Sequence, residues 1–174
     1  MGSIGLPNII TLARLLAVPV IIWLILAERM TPAFWMFLIA GLSDALDGYC
    51  AKRFNCETEF GRYLDPVADK ALLVSVYFTL GHGGHLPVWL VILVVSRDIL
   101  IIGGILLLRL LNGALGMRPL LISKINTAMQ IILAGLMLYI LGIGGPDLGL
   151  VKGLTFLVAV TTIASGMAYL VLWG

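Results

Sequence analysis

Six apolar runs, each about 20 residues long, constrain the fold of this chain more than any other feature of its sequence. About 20 consecutive apolar residues form a helix long enough to cross the hydrocarbon core of a bilayer. The runs do not show the alternation typical of membrane β-barrel strands. The sequence therefore predicts an all-α polytopic membrane protein with six transmembrane helices. The runs are Asn8–Ala27, Pro32–Ala51, Gly61–Gly81, Pro87–Leu111, Leu120–Gly142 and Leu148–Leu172.

The composition agrees with this prediction. The chain of 174 residues is 61% hydrophobic and 11% charged, whereas soluble domains are roughly 45–50% apolar and about 25% charged. Its length suits one domain, so we expect a single membrane domain over residues 1–174. The first run lacks a basic leading region and contains Arg14, so we expect a membrane helix there and not a signal peptide.

The basic residues are distributed unevenly between the two sets of loops. One set is flanked by six of them, and the opposite set by Arg29 and Lys152. The positive-inside rule then predicts that both termini and the basic loops face the cytoplasm. No basic stripe suggests a nucleic-acid partner. The six are Lys52, Arg53, Arg62, Arg109, Arg118 and Lys124.

Four aspartates stand between the second and third apolar runs. Asp44 and Asp47 are three residues apart, and Asp65 and Asp69 are four apart. Each spacing places two carboxylates on one face of a helix. The loop between, about residues 53–60, is short enough to predict that the two helices are neighbours. We therefore expect the four carboxylates to converge at the membrane surface.

Two interpretations of this acidic cluster are open. Carboxylate oxygens are hard ligands that suit Mg²⁺, Mn²⁺ or Ca²⁺, and two such ions could clamp a diphosphate. Alternatively, the acids form salt bridges with the nearby basic residues, including Lys70, at a solvated helix end. The small residues Gly48, Ala51 and Gly61 either admit a bulky ligand to the helix backbones or serve ordinary helix packing.

The acids and the small residues together resemble the signature of the CDP-alcohol phosphotransferase family. That signature reads D-x-x-D-G-x-x-A-R-x(8)-G-x-x-x-D-x-x-x-D. Residues 44–69 match it with the eight-residue spacer intact, except that Lys52 stands where the family has arginine. Lysine keeps the charge but loses the bidentate geometry of a guanidinium. The resemblance covers nearly the whole chain and implies six transmembrane helices, usually in a homodimer, with an active site open to the cytoplasmic leaflet.

The resemblance also implies a reaction. A hydroxyl of an alcohol attacks the β-phosphorus of a CDP-linked lipid such as CDP-diacylglycerol, and CMP leaves. By analogy, Asp44, Asp47 and Asp65 ligate one or two divalent ions, Mg²⁺ or Mn²⁺. Asp69 completes the metal site and acts as the general base. The residues expected to line the CDP pocket are Gly48, Ala51, Lys52 and Gly61. The expected location is a bacterial inner membrane or a mitochondrial-type inner membrane.

Other polar residues are candidates for binding the acceptor or a lipid phosphate. They are Asn8, Arg14, Arg97, Arg118, Lys124 and Asn126. Asn8 and Arg14 lie in a stretch, LPNIITLARLLAVP, that resembles the first helix of the phosphatidylglycerol branch of the family. Structural alternatives exist: Arg97 could pair with Asp98 or meet one of the four acids, and the other cations could snorkel or set topology. We favour a functional role for Arg97 because charges inside apolar helices are costly.

Two acceptors fit the family reaction. Members that use glycerol 3-phosphate typically carry G-K-x-K-T, whereas this chain has Ser123-Lys124-Ile125-Asn126-Thr127 and lacks the second lysine. Fewer cations suit a monoanionic diester, so the sequence favours transfer to phosphatidylglycerol, which gives cardiolipin. It also predicts that Asn126→Lys improves the use of glycerol 3-phosphate. A different class, a small transporter or ion-binding membrane protein, stays open, although no inverted repeat is evident.

Overall fold

The computed structural model describes residues 6–54, 59–112, 121–146 and 149–173, with side chains over 12–43, 68–104, 121–146 and 149–171. Over these residues the chain is all-helical, and its helices agree with the predicted runs to within a few residues at each end. A helix satisfies its backbone hydrogen bonds internally, as an apolar environment requires. The helices are α1 Leu6–Leu26, α2 Met30–Phe54, α3 Glu59–His82, α4 Val88–Asn112, α5 Leu121–Ile143 and α6 Leu150–Trp173.

The packing order of the helices differs in part from their order along the chain. α1 packs on α2 and α3, α2 packs on α5, α5 packs on α6, and α4 packs on α3 and α6. Over the described residues α2 and α3 make no direct contact, and the prediction that they are neighbours near the loop at residues 53–60 stays a prediction. α1 and α5 each contact both of these helices, and a cavity described below separates α2 from α3.

Large apolar side chains cover the outside of the bundle. The exposed fraction is 63% for Ile92, 69% for Phe156 and 78% for Val171. Arg97 and Asp98 are instead buried, at 5% and 3%. This distribution is the reverse of that in a soluble protein, where charged side chains face water and are seldom fully buried. The surface is therefore suited to contact with lipid.

Two helices within the described residues have both the length and the apolar composition needed to cross a membrane, Leu121–Ile143 and Leu150–Val171. Two shorter apolar stretches, Leu12–Leu26 and Met30–Ser43, belong to α1 and α2. The structure thus agrees with a membrane protein.

The α2–α5 contact includes a very close approach of two backbones. A Cβ atom built on Gly142 would lie 2.8 Å from the Met30 carbonyl carbon and 2.8 Å from the Thr31 nitrogen. The Thr31 hydroxyl donates a hydrogen bond of 2.6 Å to the Gly142 carbonyl. Only glycine permits this distance, so the residue fixes where the first turn of α2 meets the end of α5.

Candidate active site

The signature residues lie on the two helix segments that the sequence predicts. α2 carries Asp44, Asp47, Gly48, Ala51 and Lys52, and α3 carries Gly61, Asp65 and Asp69. Of these, only Asp69 has a described side chain. The predicted convergence of the four carboxylates therefore lies outside the described side chains, as does the predicted lining of the CDP pocket. The side chain of Asn8 on α1 and the whole of Arg118 also lie outside the described residues.

Asp69 on α3 forms an ion pair with Arg14 on α1. The distance between Arg14 Nη1 and Asp69 Oδ1 is 2.6 Å. The two side chains differ in exposure, at 2% for Arg14 and 43% for Asp69. The buried guanidinium thus holds one carboxylate oxygen of Asp69 against α1, while the carboxylate remains accessible from outside the bundle. The predicted role of Arg14 at a lipid head group stays a prediction.

A cavity of about 360 Å³ lies beside this ion pair. It is bounded by α1, α2, α3 and α5, so it occupies the space between the two helices that carry the acids. Among the described residues, its charged lining residues are Arg14, Asp69 and Lys70, and most of the others are apolar. The cavity therefore has a charged part, formed by these three side chains, and an apolar part, which we call the apolar trough. The remaining lining residues are Phe37, Leu38, Ala40, Gly41, Leu42, Leu72, Leu73, Thr127 and Ile131.

A second group of charges is centred on Asp98 of α4. The Lys70 ammonium on α3 donates to both oxygens of Asp98, at 2.8 Å and 2.9 Å. The Arg97 guanidinium donates to Asp98 Oδ1 at 2.7 Å. One buried carboxylate is thus shared between two cations. Such pairs offset the large cost of removing the charges from water only when their hydrogen bonds are also satisfied.

The remaining donors of Arg97 contact hydroxyl groups on two further helices. Its Nη2 donates to Ser123 Oγ on α5 at 2.6 Å and to Ser165 Oγ on α6, and its Nε donates to Ser165 Oγ at 3.2 Å. Of the two structural alternatives for Arg97, the pair with Asp98 is the one observed. Arg97 therefore ties three helices together, and its role in acceptor binding stays a prediction.

Asn126 on α5 is fully buried against α6. Its Oδ1 accepts hydrogen bonds from the hydroxyls of Thr161 at 2.8 Å and Thr162 at 2.9 Å. The cavity is lined on α5 by Thr127 and not by Asn126. A lysine at position 126 would have to bury its charge in this interface, which destabilises the protein. This cost opposes the predicted gain in the use of glycerol 3-phosphate by Asn126→Lys. Lys124, another predicted acceptor residue, is exposed.

Lys70 is not among the site residues that the sequence predicts. The sequence indicates it only as a possible salt-bridge partner of the acidic cluster. Lys70 directly follows Asp69, and consecutive residues on a helix point in directions about 100° apart. The two side chains therefore reach different neighbouring helices, α4 and α1, although both line the cavity. The position of Lys70 directly after the last signature aspartate is the sequence feature that could have identified it as a site residue.

Carboxylate chemistry at the site suits a hard divalent cation, but the described side chains do not assemble a complete site. Among them, no group of three acidic, histidine or cysteine side chains could hold a metal ion. Asp69 is the described member of the predicted set, and its carboxylate lines the cavity. The ligand set of Asp44, Asp47, Asp65 and Asp69 stays a prediction.

Comparison with known proteins agrees with the family that the signature indicates. The family model for CDP-alcohol phosphatidyltransferases matches residues 4–170. A chloroplastic CDP-diacylglycerol–glycerol-3-phosphate 3-phosphatidyltransferase 1 from Oryza sativa subsp. japonica is 36% identical over 95% of this chain and 56% of its own length. A CMP-forming cardiolipin synthase from Rattus norvegicus is 32% identical over 94% of this chain and 60% of its own length.

A bacterial relative is covered more completely. The CDP-diacylglycerol–glycerol-3-phosphate 3-phosphatidyltransferase of Bacillus subtilis (strain 168) is 34% identical over 74% of this chain and 73% of its own length. The chain spans between about a third and three fifths of the length of the first relatives it matches. Relatives named as cardiolipin synthases and relatives named as glycerol-3-phosphate phosphatidyltransferases are similar to it to a comparable degree. With its signature on α2 and α3, the chain belongs to the CDP-alcohol phosphatidyltransferase family.

Proposed function

We propose that this protein transfers the phosphatidyl group of CDP-diacylglycerol to an alcohol and releases CMP, with phosphatidylglycerol as the preferred acceptor and cardiolipin as the product. The observation that carries the proposal is the cavity between α2 and α3. It combines an apolar trough with three charged side chains, as an anionic lipid requires. Membership of the family supplies the reaction class.

The position of the cavity supports this assignment. Asp44 follows the lining residue Ala40 by four positions on α2, and Asp65 precedes the lining residue Asp69 by four positions on α3. Residues four apart on a helix belong to the same face. The trough thus lies on the helix faces to which the two signature positions belong. A lipid whose acyl chain occupied the trough would carry its phosphate groups toward the signature segments.

The four aspartates Asp44, Asp47, Asp65 and Asp69 would hold Mg²⁺ or Mn²⁺, because carboxylate oxygens are the ligands these ions prefer. A bound divalent ion would offset the charge of the diphosphate and of the leaving CMP. The small residues Gly48, Ala51 and Gly61, with Lys52, would line the nucleotide pocket. These assignments follow from the family signature and from the helix positions of its residues.

Asp69 is the proposed general base. Its carboxylate would accept the proton of the acceptor hydroxyl as the new oxygen–phosphorus bond forms and the bond to CMP breaks. Arg14 would orient that carboxylate, since its guanidinium contacts one carboxylate oxygen at 2.6 Å.

Phosphatidylglycerol is preferred over glycerol 3-phosphate for two reasons. The trough can hold an acyl chain, which glycerol 3-phosphate lacks. Among the described residues the cavity wall carries two cations and one aspartate, and a single net positive charge suits a monoanionic diester better than a dianionic phosphate. Glycerol 3-phosphate remains the alternative acceptor, because relatives named for that acceptor are 36% and 34% identical to this chain.

We further propose that all six helices cross the membrane and that the chain forms a homodimer. The helices have 21–25 residues, or about 31–38 Å at 1.5 Å per residue, which matches a bilayer core of about 30 Å. The basic residues near the signature ends of the helices support an active site that faces the cytoplasm or the mitochondrial matrix.

The proposal can be tested with purified protein in detergent. CDP-diacylglycerol and Mg²⁺ or Mn²⁺ would be supplied with phosphatidylglycerol in one reaction and glycerol 3-phosphate in another. CMP release would be followed and the lipid product identified by mass spectrometry. We expect CMP and cardiolipin with phosphatidylglycerol only. Asp69→Asn should lower the rate at least about a thousandfold, because it removes the base and a metal ligand.

The control is that Asp69→Asn remains folded at the assay temperature, although its melting temperature should fall because the buried Arg14 guanidinium loses its partner charge. Phosphatidylglycerophosphate in place of cardiolipin would keep the reaction class and overturn the preferred acceptor. The absence of CMP with every alcohol tried would overturn the enzymatic proposal and favour an ion-binding or transport function. In that case, Asp69→Asn should change cation binding instead.

A further inference from the structure

Lys70 occupies a distinctive place in the molecule, between the cavity and the buried charges of α4. Its ammonium donates to both carboxylate oxygens of Asp98, at 2.8 Å and 2.9 Å. Its side chain is 25% exposed, whereas that of Asp98 is 3% exposed. Lys70 also lines the cavity and Asp98 does not. One side of the ammonium is therefore fixed by a buried anion, while the side chain borders the space beside Asp69.

The charges around Asp98 do not balance. Among the described side chains, Asp98 is the one anion of the group, and it contacts two cations, Lys70 and Arg97. Arg97 is 5% exposed and directs its other donors to the hydroxyls of Ser123 and Ser165. Within this group, only Lys70 reaches the cavity. The excess positive charge is therefore presented to a cavity occupant through Lys70.

We infer that Lys70 is a phosphate-binding residue of the cavity and that Asp98 is its positioning residue. The ammonium has three N–H donors, and the bonds to Asp98 leave capacity for a charge-assisted bond to a phosphate oxygen. The bidentate contact holds the lysine in one place, so less entropy is lost when a ligand binds. The identity of the ligand as a substrate lipid rests on the proposed function.

The ligand chemistry is a phosphate attached to an apolar chain. It is either the phosphodiester of an acceptor lipid or the diphosphate of the nucleotide-activated lipid. A purely structural salt bridge is the competing explanation. It predicts that Lys70 contributes to stability alone, whereas a phosphate-binding residue also changes lipid affinity and KM.

The test compares Lys70→Met, Lys70→Arg and Asp98→Asn with Lys152→Met as the control, since Lys152 is exposed on α6. Binding of dioctanoyl phosphatidylglycerol and of CDP-dioctanoylglycerol would be measured by calorimetry in a non-ionic detergent with EDTA. Dioctanoylglycerol, which has no phosphate, is the ligand control. KM and kcat would be measured for each lipid with Mg²⁺ present.

We expect Lys70→Met to weaken binding of one phosphate lipid about tenfold, the effect of losing a charge-assisted hydrogen bond. Its KM should rise more than its kcat falls, because ground-state binding is lost. Lys70→Arg should stay within about threefold of the parent because it keeps the charge. Asp98→Asn should weaken the binding of the same lipid by less than tenfold. The affected lipid identifies the acceptor or the donor as the source of the phosphate.

Unchanged affinity for both phosphate lipids in folded Lys70→Met would overturn the inference and leave a structural salt bridge. If Lys70→Met does not fold, Lys70→Gln keeps a side-chain donor beside Asp98, whose charge Arg97 still balances at 2.7 Å, and should show the same tenfold loss. Lipid binding can be measured without turnover. The proposed reaction and the proposed role of Lys70 can therefore be refuted independently of each other. A parent protein that releases no CMP but binds lipid through Lys70 would refute the proposed reaction and support this inference.

Discussion

The two halves of the helix bundle are built on different principles. The apolar half, around Ile21, Leu80, Leu90 and Leu138, contains close-packed aliphatic side chains that are fully buried. The polar half, around the Arg14–Asp69 and Lys70–Asp98–Arg97 contacts, buries charges and hydroxyls instead. Aliphatic packing stabilises through area and fit. Buried charges are weaker evidence for stability, and in membrane proteins they mark functional regions.

The two halves also differ in how fully their polar atoms are satisfied. Among the described side chains, the Nδ2 of Asn126 and both amide atoms of Gln130 are buried without a hydrogen-bond partner. Both residues lie on the face of α5 that enters the polar half. Leu133 and Leu138, further along the same helix, are fully buried and carry no polar atoms. The polar half has thus kept costly groups that the apolar half excludes, as expected of a region selected for binding and chemistry.

The largest expected effect on stability is the removal of the anion in the polar half. Asp98→Leu leaves the cations of Lys70 and Arg97 without their shared partner, so we expect a loss of about 3–5 kcal/mol in the free energy of unfolding. Arg97→Met should cost less, because Asp98 keeps both contacts to Lys70. Denaturant unfolding in mixed micelles measures both. Equal losses would show that the carboxylate does not organise the group.

The apolar half can be tested by truncating one core side chain. Leu138 is fully buried, so Leu138→Ala should lower the free energy of unfolding by about 2–5 kcal/mol through lost contacts and a cavity. The rate of CMP release at a temperature where the protein stays folded should change little. Phe156→Ala, on an exposed side chain of α6, is the control. A large loss of activity in folded Leu138→Ala would indicate that the halves are coupled.

The close approach of α2 and α5 can be tested by adding a methyl group at Gly142, with a smaller expected loss of stability than in Leu138→Ala. In Gly142→Ala the new methyl group would meet the backbone of Met30 and Thr31 at 2.8 Å, so we expect a loss of about 1–3 kcal/mol from overpacking. Gly153→Ala on α6 is the matched control, since its Cβ would meet no atom within 4 Å. Thermal unfolding in detergent compares the two. Similar midpoints for both variants would contradict the close contact.

The smallest expected effect belongs to the unsatisfied amide of the polar half. Gln130→Met replaces it with an apolar side chain of similar length, so the free energy of unfolding should change by less than about 1 kcal/mol or increase. The Tyr77 hydroxyl should be unaffected, because it donates to the backbone carbonyl of Gln130 at 3.1 Å. A loss above about 2 kcal/mol would show that the amide has a polar partner, such as a buried water.

The sequence by itself determined the helices and the location of the signature. The bounds of α1 to α6 follow the six apolar runs, because helix formation depends on local hydrogen bonds four residues apart, and helices form over the apolar runs even where α1 includes Pro19. The placement of the acids on α2 and α3 follows from the same periodicity. Membership of the family follows from a pattern of residue types and spacings, and such a pattern is a property of the chain alone.

Only the tertiary structure decided which helix faces meet. The helices are apolar around most of their circumference, so the sequence marks no single face for packing. The short loop predicts only that α2 and α3 are neighbours, and over the described residues the two helices make no direct contact and border a cavity. The sequence also left open whether Arg97 pairs with Asp98, and it did not single out Lys70. Ion pairs between residues 28 and 55 positions apart depend on how the helices are arranged, which local periodicity does not encode.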